Sequence, residues 1–225
     1  MKLKVALSLS LLWLPMYSQA MNVGEITSFI LSSNSVLSKQ VSNPSDTARL
    51  VALSVKRIKT PMEEGGEIAF DTEAEILSTP ASMVLPSGAK DNFRIFYQGP
   101  QDDQERYYRL AWIDQPVSEI STSTNKKSGV ATTSAEINTL LVVAPRREKF
   151  DYTREKNIIH NRGNASFRVV AVGKCVDPKR DIDGKGCRER YYVMPHTHAA
   201  ISNVDLQHAN SQLGIWHNQQ YIVVK

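Results

Sequence analysis

The sequence predicts an all-β protein made of antiparallel sandwiches, and three observations predict it. Apolar and polar residues alternate in short runs rich in Val, Ile, Tyr, Phe and Thr, the two-residue period of half-buried strands. Pro, Gly, Asn, Asp and Ser punctuate those runs at short intervals. Past the leader, no stretch carries a helical period for more than about two turns. Many short strands with turn signals between them point to two-sheet sandwiches of the immunoglobulin type.

The chain opens with Lys2 and Lys4, an apolar run from Val5 to Leu14, then Pro15 and the small residues Ser18 and Ala20. This predicts a secretory signal peptide over residues 1–20, cleaved after Ala20. The run is too short to span a membrane, and no other stretch approaches ~20 apolar residues, so no membrane insertion is expected. Cleavage removes two lysines and no acid, so the formal charge of +4 falls by two. With that small excess and no basic run, nucleic-acid binding is not expected.

The strands follow in order. Residues 48–58 put Val51, Leu53 and Val55 on one face and Ala52, Ser54 and Lys56 on the other. EIAF (67–70) reads as a short strand. Residues 75–86 read as two strands broken at Pro80 and ended by Pro86-Ser87-Gly88. Phe93, Ile95 and Tyr97 share a face of the next strand, and Tyr108, Leu110 and Trp112 share a face of the one after. Residues 114–130 are rich in Ser, Thr and Lys and read as a loop.

Next comes GVATTSAEINTLLVVAPRR (129–147). Its Leu140–Val143 block is apolar on both sides, as in a strand buried on both faces. Its Val130–Ser134 half has no large side chain and reads as an edge. Pro145 ends the run. Uncharged edges are normally blunted, so this one is expected to be paired by another protein.

The texture changes after Arg147, which divides the mature chain into domains at 21–147 and 148–225. Residues 149–162 read as a linker and a first strand. Phe167, Val169 and Ala171 face one way in the strand that follows. RERYYVMP and the terminal QLGIWHNQQYIVVK give further strands, with Gly214 read as a bulge. Cys175 and Cys187 flank a segment of Asp, Pro and Gly turn formers. In an oxidising compartment they are expected to form a disulfide, contributing roughly 2–3 kcal/mol to a unit small for a single core.

The ordered set LSTPASMVLPSGAKDNFRIFYQGP (77–100), DQERYYRLAW (103–112), INTLLVVAPR (137–146), NRGNASFRVVAVGKC (161–175) and RYYVMP (190–195) resembles the two-lobed PapD-like pilus-assembly chaperones. It is most similar to the alternate branch that serves the common pilus (Ecp/Mat). The resemblance covers the whole mature chain. It implies two immunoglobulin-like domains in a boomerang arrangement, a periplasmic location, and no enzymatic activity or cofactor. It implies pilin subunits, a tip adhesin and an outer-membrane usher as partners, with a second chaperone or self-dimerisation as further options. Such chaperones lend a strand to subunits that lack one, so that main-chain hydrogen bonds give affinity and alternate side chains enter the subunit's pockets. Here the donor would run from Val130 to Leu141. Its candidate contact residues are Val130, Ala131, Thr133, Ala135, Ile137 and Leu141, with the parity left open because one bulge swaps the faces.

The resemblance also implies an Arg from the first strand and a Lys from the donor strand that anchor the subunit's terminal carboxylate. This sequence departs from that pattern. Its first strand has Glu25 and no Arg, and Leu140 and Leu141 occupy the Lys region. Arg49, Arg109 and Arg94 are the replacement candidates. An interdomain ion-pair cluster is carried over to Glu105, Arg146 and Asp205.

Other chemistry is weaker. His196 and His198, with His208 and His217 in the same domain, suggest a copper or zinc site, but no Cys, Met or carboxylate set completes it, and no metal is expected. Asp181, Asp183 and Gly184 begin like a calcium loop but lack the later Glu, so they read as a turn. Neither a GxSxG nucleophile motif nor a phosphate-binding glycine loop occurs. The alternative function is a structural pilin or adhesin module. Against it stands the short Asn22–Ser28 segment, which lacks the alternating large apolar residues a donating pilin extension needs.

Overall fold

The structure, a computed structural model, describes residues 21–62, 65–117 and 134–224. The expected signal peptide, Val130, Ala131 and Thr133 lie outside the described residues. Strands dominate from end to end. In the first lobe they are β1 (Thr27–Ile30), β2 (Val36–Ser42), β3 (Arg49–Ile58), β4 (Ile76–Thr79), β5 (Ser82–Leu85), β6 (Lys90–Tyr97), β7 (Arg106–Pro116) and β8 (Ala135–Val143). One sheet has the order β1-β8-β7-β3-β5 and the facing sheet the order β2-β6-β4. All pairs are antiparallel except β1 with β8, which is parallel.

The strand faces follow the alternation in the sequence. Val51, Leu53, Phe93, Ile95, Tyr97, Tyr108, Leu110, Trp112, Leu141 and Val143 are all buried in one core. Phe93 meets Trp112 edge to face, with ring centres 5.2 Å apart, a favoured aromatic geometry. At Pro80 the chain leaves one sheet for the other, so β4 pairs with β6 and β5 with β3. EIAF makes only a single bridge, Glu67 to Ile58.

The second lobe has β9 (Tyr152–Glu155), β10 (Ile158–Asn161), β11 (Phe167–Gly173), β12 (Cys187–Val193), β13 (His198–Ala200), β14 (Gln212–His217) and β15 (Gln220–Val223). Its sheets run β12-β11-β14-β15 and β13-β10-β9. Residues 149–162 hold two strands rather than one. They turn at Lys156, whose φ is 56°. The β14–β15 hairpin turns on Asn218 and Gln219, both with positive φ, as a two-residue primed turn requires. Gly214 is not a bulge. It pairs in register with Val170 and Val223, and an added Cβ would lie 2.2 Å from the Tyr221 ring. Glycine is there to let that ring lie over the strand.

Cys175 and Cys187 form the expected disulfide and belong to the second core with Phe167, Val169 and Ile215. DIDG is a turn within the loop they close, with Gly184 at φ 65°.

Candidate functional site: the edge of β8 and the junction of the lobes

β8 is paired on one side by β7 over its whole length, from Ala135↔Asp114 to Val143↔Arg106. On the other side β1 begins only at Thr27↔Leu140. Ala135–Thr139 therefore has no neighbouring strand on that side among the described residues. Leu140 donates its N–H to the Ile26 carbonyl and Ala144 to Ile30. By the two-residue period, the N–H and C=O groups of Glu136 and Asn138 point the same way, out of the open edge.

The faces of β8 are equally definite. Leu141 and Val143 are buried in the first core, and Ile137 packs against it half-buried. Leu141 is thus taken by its own lobe and is not free to enter a partner's pocket. That is a correction to the expected donor set. On the opposite face, Val142 is buried with Ile58 and Tyr107, and Leu140, Phe29 and Met194 pack around them. Met194 comes from the second lobe, so this face of the sheet meets the other lobe.

Other contacts across the junction are polar, with one aromatic stack. Glu105 accepts from the Ser166 N–H (2.6 Å), the Ser166 hydroxyl and the Tyr107 hydroxyl. Burial pushes its carboxyl above the usual range, against those hydrogen bonds. Asn164 donates to the Asp103 carbonyl at 2.9 Å. In the linker, Glu148 pairs with His217 and accepts from Asn218, and His217 holds its carboxyl low. Phe29 stacks on Tyr192 with centres 6.0 Å apart.

The expected cluster of Glu105, Arg146 and Asp205 does not form. Arg146 lies 4.8 Å over the Tyr97 ring and donates to the carbonyls of Leu31, Ser32 and Asn34. Asp205 accepts from the Gln207 N–H within its own lobe. Of the three, Glu105 alone bridges the lobes, and it does so through Ser166.

The three anchor candidates separate. Arg49 is held by Asp114 through two hydrogen bonds, 2.6 and 2.8 Å. It begins β3, whose other end, Ile58, reaches the Met194 contact. Ten strand residues put it about 30 Å away. Arg94 is exposed on β6, in the facing sheet. Arg109 pairs across to Leu140 and Lys56, and so lies on the outer face beside the point where β1 begins. Sequence reasoning missed Lys39. It occupies a core-facing position of β2 between Leu37 and Val41, is buried, and donates to the Glu25 carbonyl (2.5 Å) and the Ser28 hydroxyl (3.1 Å). Burial lowers its pKa, with Glu25 opposing. The phase with Leu37 and Val41 was the readable signal.

The loop at the base of β7 adds a buried charge network. Arg106 donates to both Asp102 oxygens at 2.7 Å and to Asp71 at 2.9 Å. Its guanidinium holds the Asp102 carboxyl down to about 2, from an ordinary 3.8. Asp71 is lowered too, by Arg57 first and then Arg106. A carboxyl depressed in the folded state stabilises above its unfolded pKa, and that stabilisation is lost as pH falls through the folded pKa. The urea midpoint should therefore drop between about pH 4 and pH 2, and Asp102→Asn should flatten that limb. An unchanged acid limb in the variant would remove the Arg106–Asp102 pair as its source.

Comparisons place this architecture. The profile of the "EcpB C-terminal domain" matches residues 150–224. "Probable fimbrial chaperone EcpB" of Klebsiella pneumoniae (strain 342) is 40% identical over 208 residues, 92% of each chain. The protein of that name in Escherichia coli O18:K1:H7 is 39% identical over the same share. Among solved structures, the class 5 fimbriae chaperone CfaA superposes with a TM-score of 0.54 at 17% identity, covering 91% of this chain and 98% of its own. A chain of the Salmonella enterica SafA pilin–SafB chaperone complex gives 0.52 at 14%, covering 91% and 95%. These two establish the fold, two β-sandwiches in tandem. At 40% identity over nearly its full length, the chain belongs to the EcpB family of fimbrial chaperones.

Proposed function

We propose that this chain is a periplasmic chaperone that lends β8 to pilin and tip-adhesin subunits lacking a strand and passes them to an outer-membrane usher. The observation that carries this reading is the open edge at Ala135–Thr139, continuous with a half of β8 locked between β7 and β1. A donor needs such a pair of properties: one end fixed, the other offering unpaired main-chain groups. The relatives' name and the pilin–chaperone complex among the fold's neighbours support it.

On this reading, Ala135 and Ile137, which share one phase of β8, are the described residues of the donor that meet the subunit's pockets. Ala135 is small and Ile137 already half-buries against its own core, so each pocket contributes about 1 kcal/mol and main-chain pairing provides most of the hold. Arg109 is the remaining arginine for the subunit's terminal carboxylate, with Lys39 as a cation on the inner side of the same seam. The division of the mature chain at 147/148 belongs to this reading.

The test is co-expression with the pilin of the same operon, followed by purification on this chain. Wild type should bring down the subunit one to one. Glu136→Pro with Asn138→Pro removes two outward N–H groups while leaving those facing β7, so the variant should fold, with an unchanged melting curve, and lose the subunit. Retained binding in the folded double variant would sink strand lending by this edge.

A further inference from the structure

His196 and His198 look paired in the sequence, but the structure gives His198 a different neighbour. His196 lies in the turn after β12, with φ at 60°. His198 opens β13 directly opposite His160 of β10. The two rings are 5.4 Å apart, centre to centre, and tilted by 38°. The Nε2 atom of His160 is buried without a hydrogen-bond partner, and the Glu155 carboxylate lies 3.9 Å from it.

That spacing can be compared with what a metal needs. With metal–nitrogen bonds of about 2.0–2.1 Å, a cation sits roughly 3.2 Å from each imidazole centre. At a tetrahedral angle the two centres are then roughly 5.2 Å apart, and at a right angle roughly 4.5 Å. The observed 5.4 Å is close to the tetrahedral value, so rotation of the two rings about their side-chain bonds, with the strands in place, would bring one nitrogen of each to a common ion. Imidazole suits late divalent first-row cations, and zinc among them takes tetrahedral geometry. The Glu155 carboxylate of β9 adds favourable charge beside His160.

We propose that His160 and His198 form a two-histidine site for a divalent late transition-metal cation, with zinc the best geometric fit. Among the described residues no group of three or more His, Cys, Asp or Glu is arranged to hold a metal, so water completes the coordination sphere. The bound ion would bridge β10 and β13, the inner and one outer strand of the three-stranded sheet.

The experiment uses the mature chain without an affinity tag and zinc ion as the probe. Calorimetric titration should show saturable one-to-one binding. His198→Ala should weaken it at least about tenfold, whereas His196→Ala should bind like the parent. His198 is exposed, so its variant should melt like the parent in chelator. Zinc should raise the parent's melting temperature and leave that of His198→Ala unchanged. No saturable binding by the parent, binding by His198→Ala at parental strength, or loss of binding in His196→Ala would each overturn the site.

Discussion

Leu141→Asp is expected to unfold the first lobe, with loss of its cooperative melting transition. Leu141 is 0% exposed and lies among Tyr108, Leu110, Trp112 and Val143. The substitution removes a fully buried Leu side chain, itself about 2–5 kcal/mol when truncated. It also places a carboxylate in the core beside Ser28, where the Lys39 ammonium is already engaged, which costs several kcal/mol more or forces the group to protonate. Together these approach the 5–15 kcal/mol that stabilises an ordinary domain. The measurement is urea unfolding followed by tryptophan fluorescence in a Trp216→Phe background, which leaves Trp112 as the reporter of the first lobe, beside the folded control Asn138→Pro on the same strand. Native-like unfolding of Leu141→Asp would mean that β8 is offset by one residue and that its odd positions do not face the core. The contrast also disciplines any binding assay. A subunit lost through Leu141→Asp reports a collapsed lobe, whereas a subunit lost through Asn138→Pro reports a broken edge.

β8 also shows how far the sequence could be read. The apolar block before Pro145 announced a strand buried on both faces, and Leu141, Val142 and Val143 are buried. Which face met which neighbour was not legible. Leu140–Val143 looks the same from either side, and only pairing with β1 and contact with Met194 distinguish them. The arginines failed for another reason. Alternation gives a residue's face but not which end of a strand reaches the cleft. Arg49 and Ile58 share β3 and lie a strand's length apart. The Glu105–Arg146–Asp205 cluster was carried over by position, and the side chains found nearer partners in Ser166, three loop carbonyls and Gln207. Gly214 looked like a bulge because nothing local betrays the Tyr221 ring seven residues on, which needs the room.

Glu75→Ala should cost about 3–5 kcal/mol, the range for removing one partner from a buried ion network. Glu75 is 0% exposed. Its carboxylate accepts from the Tyr108 hydroxyl and, at 2.5 Å, from the Asp71 N–H. It lies 3.7 Å from the Arg57 guanidinium and 3.8 Å from that of Arg106. Removing it leaves the Tyr108 hydroxyl without its acceptor in the core and two arginines sharing Asp71 and Asp102. Glu75→Gln keeps an acceptor for the hydroxyl but loses the charge between the two guanidinium groups, so its urea midpoint should fall between parent and Glu75→Ala. An alanine variant within about 0.5 kcal/mol of the parent would reduce the network to ordinary surface pairing. The effect should also reach the junction. The guanidinium of Arg106, 3.8 Å from the Glu75 carboxylate, holds Asp102 through two hydrogen bonds, and the Asp102 carbonyl accepts from the Arg146 and Arg147 N–H groups. Arg146 in turn ties the segment that follows β8 to the loop after β1. A buried carboxylate in the first lobe thus helps fix where β8 ends and the second lobe begins, so Glu75→Ala should loosen that joint, read as faster proteolysis at residues 146–150, before the lobe itself unfolds.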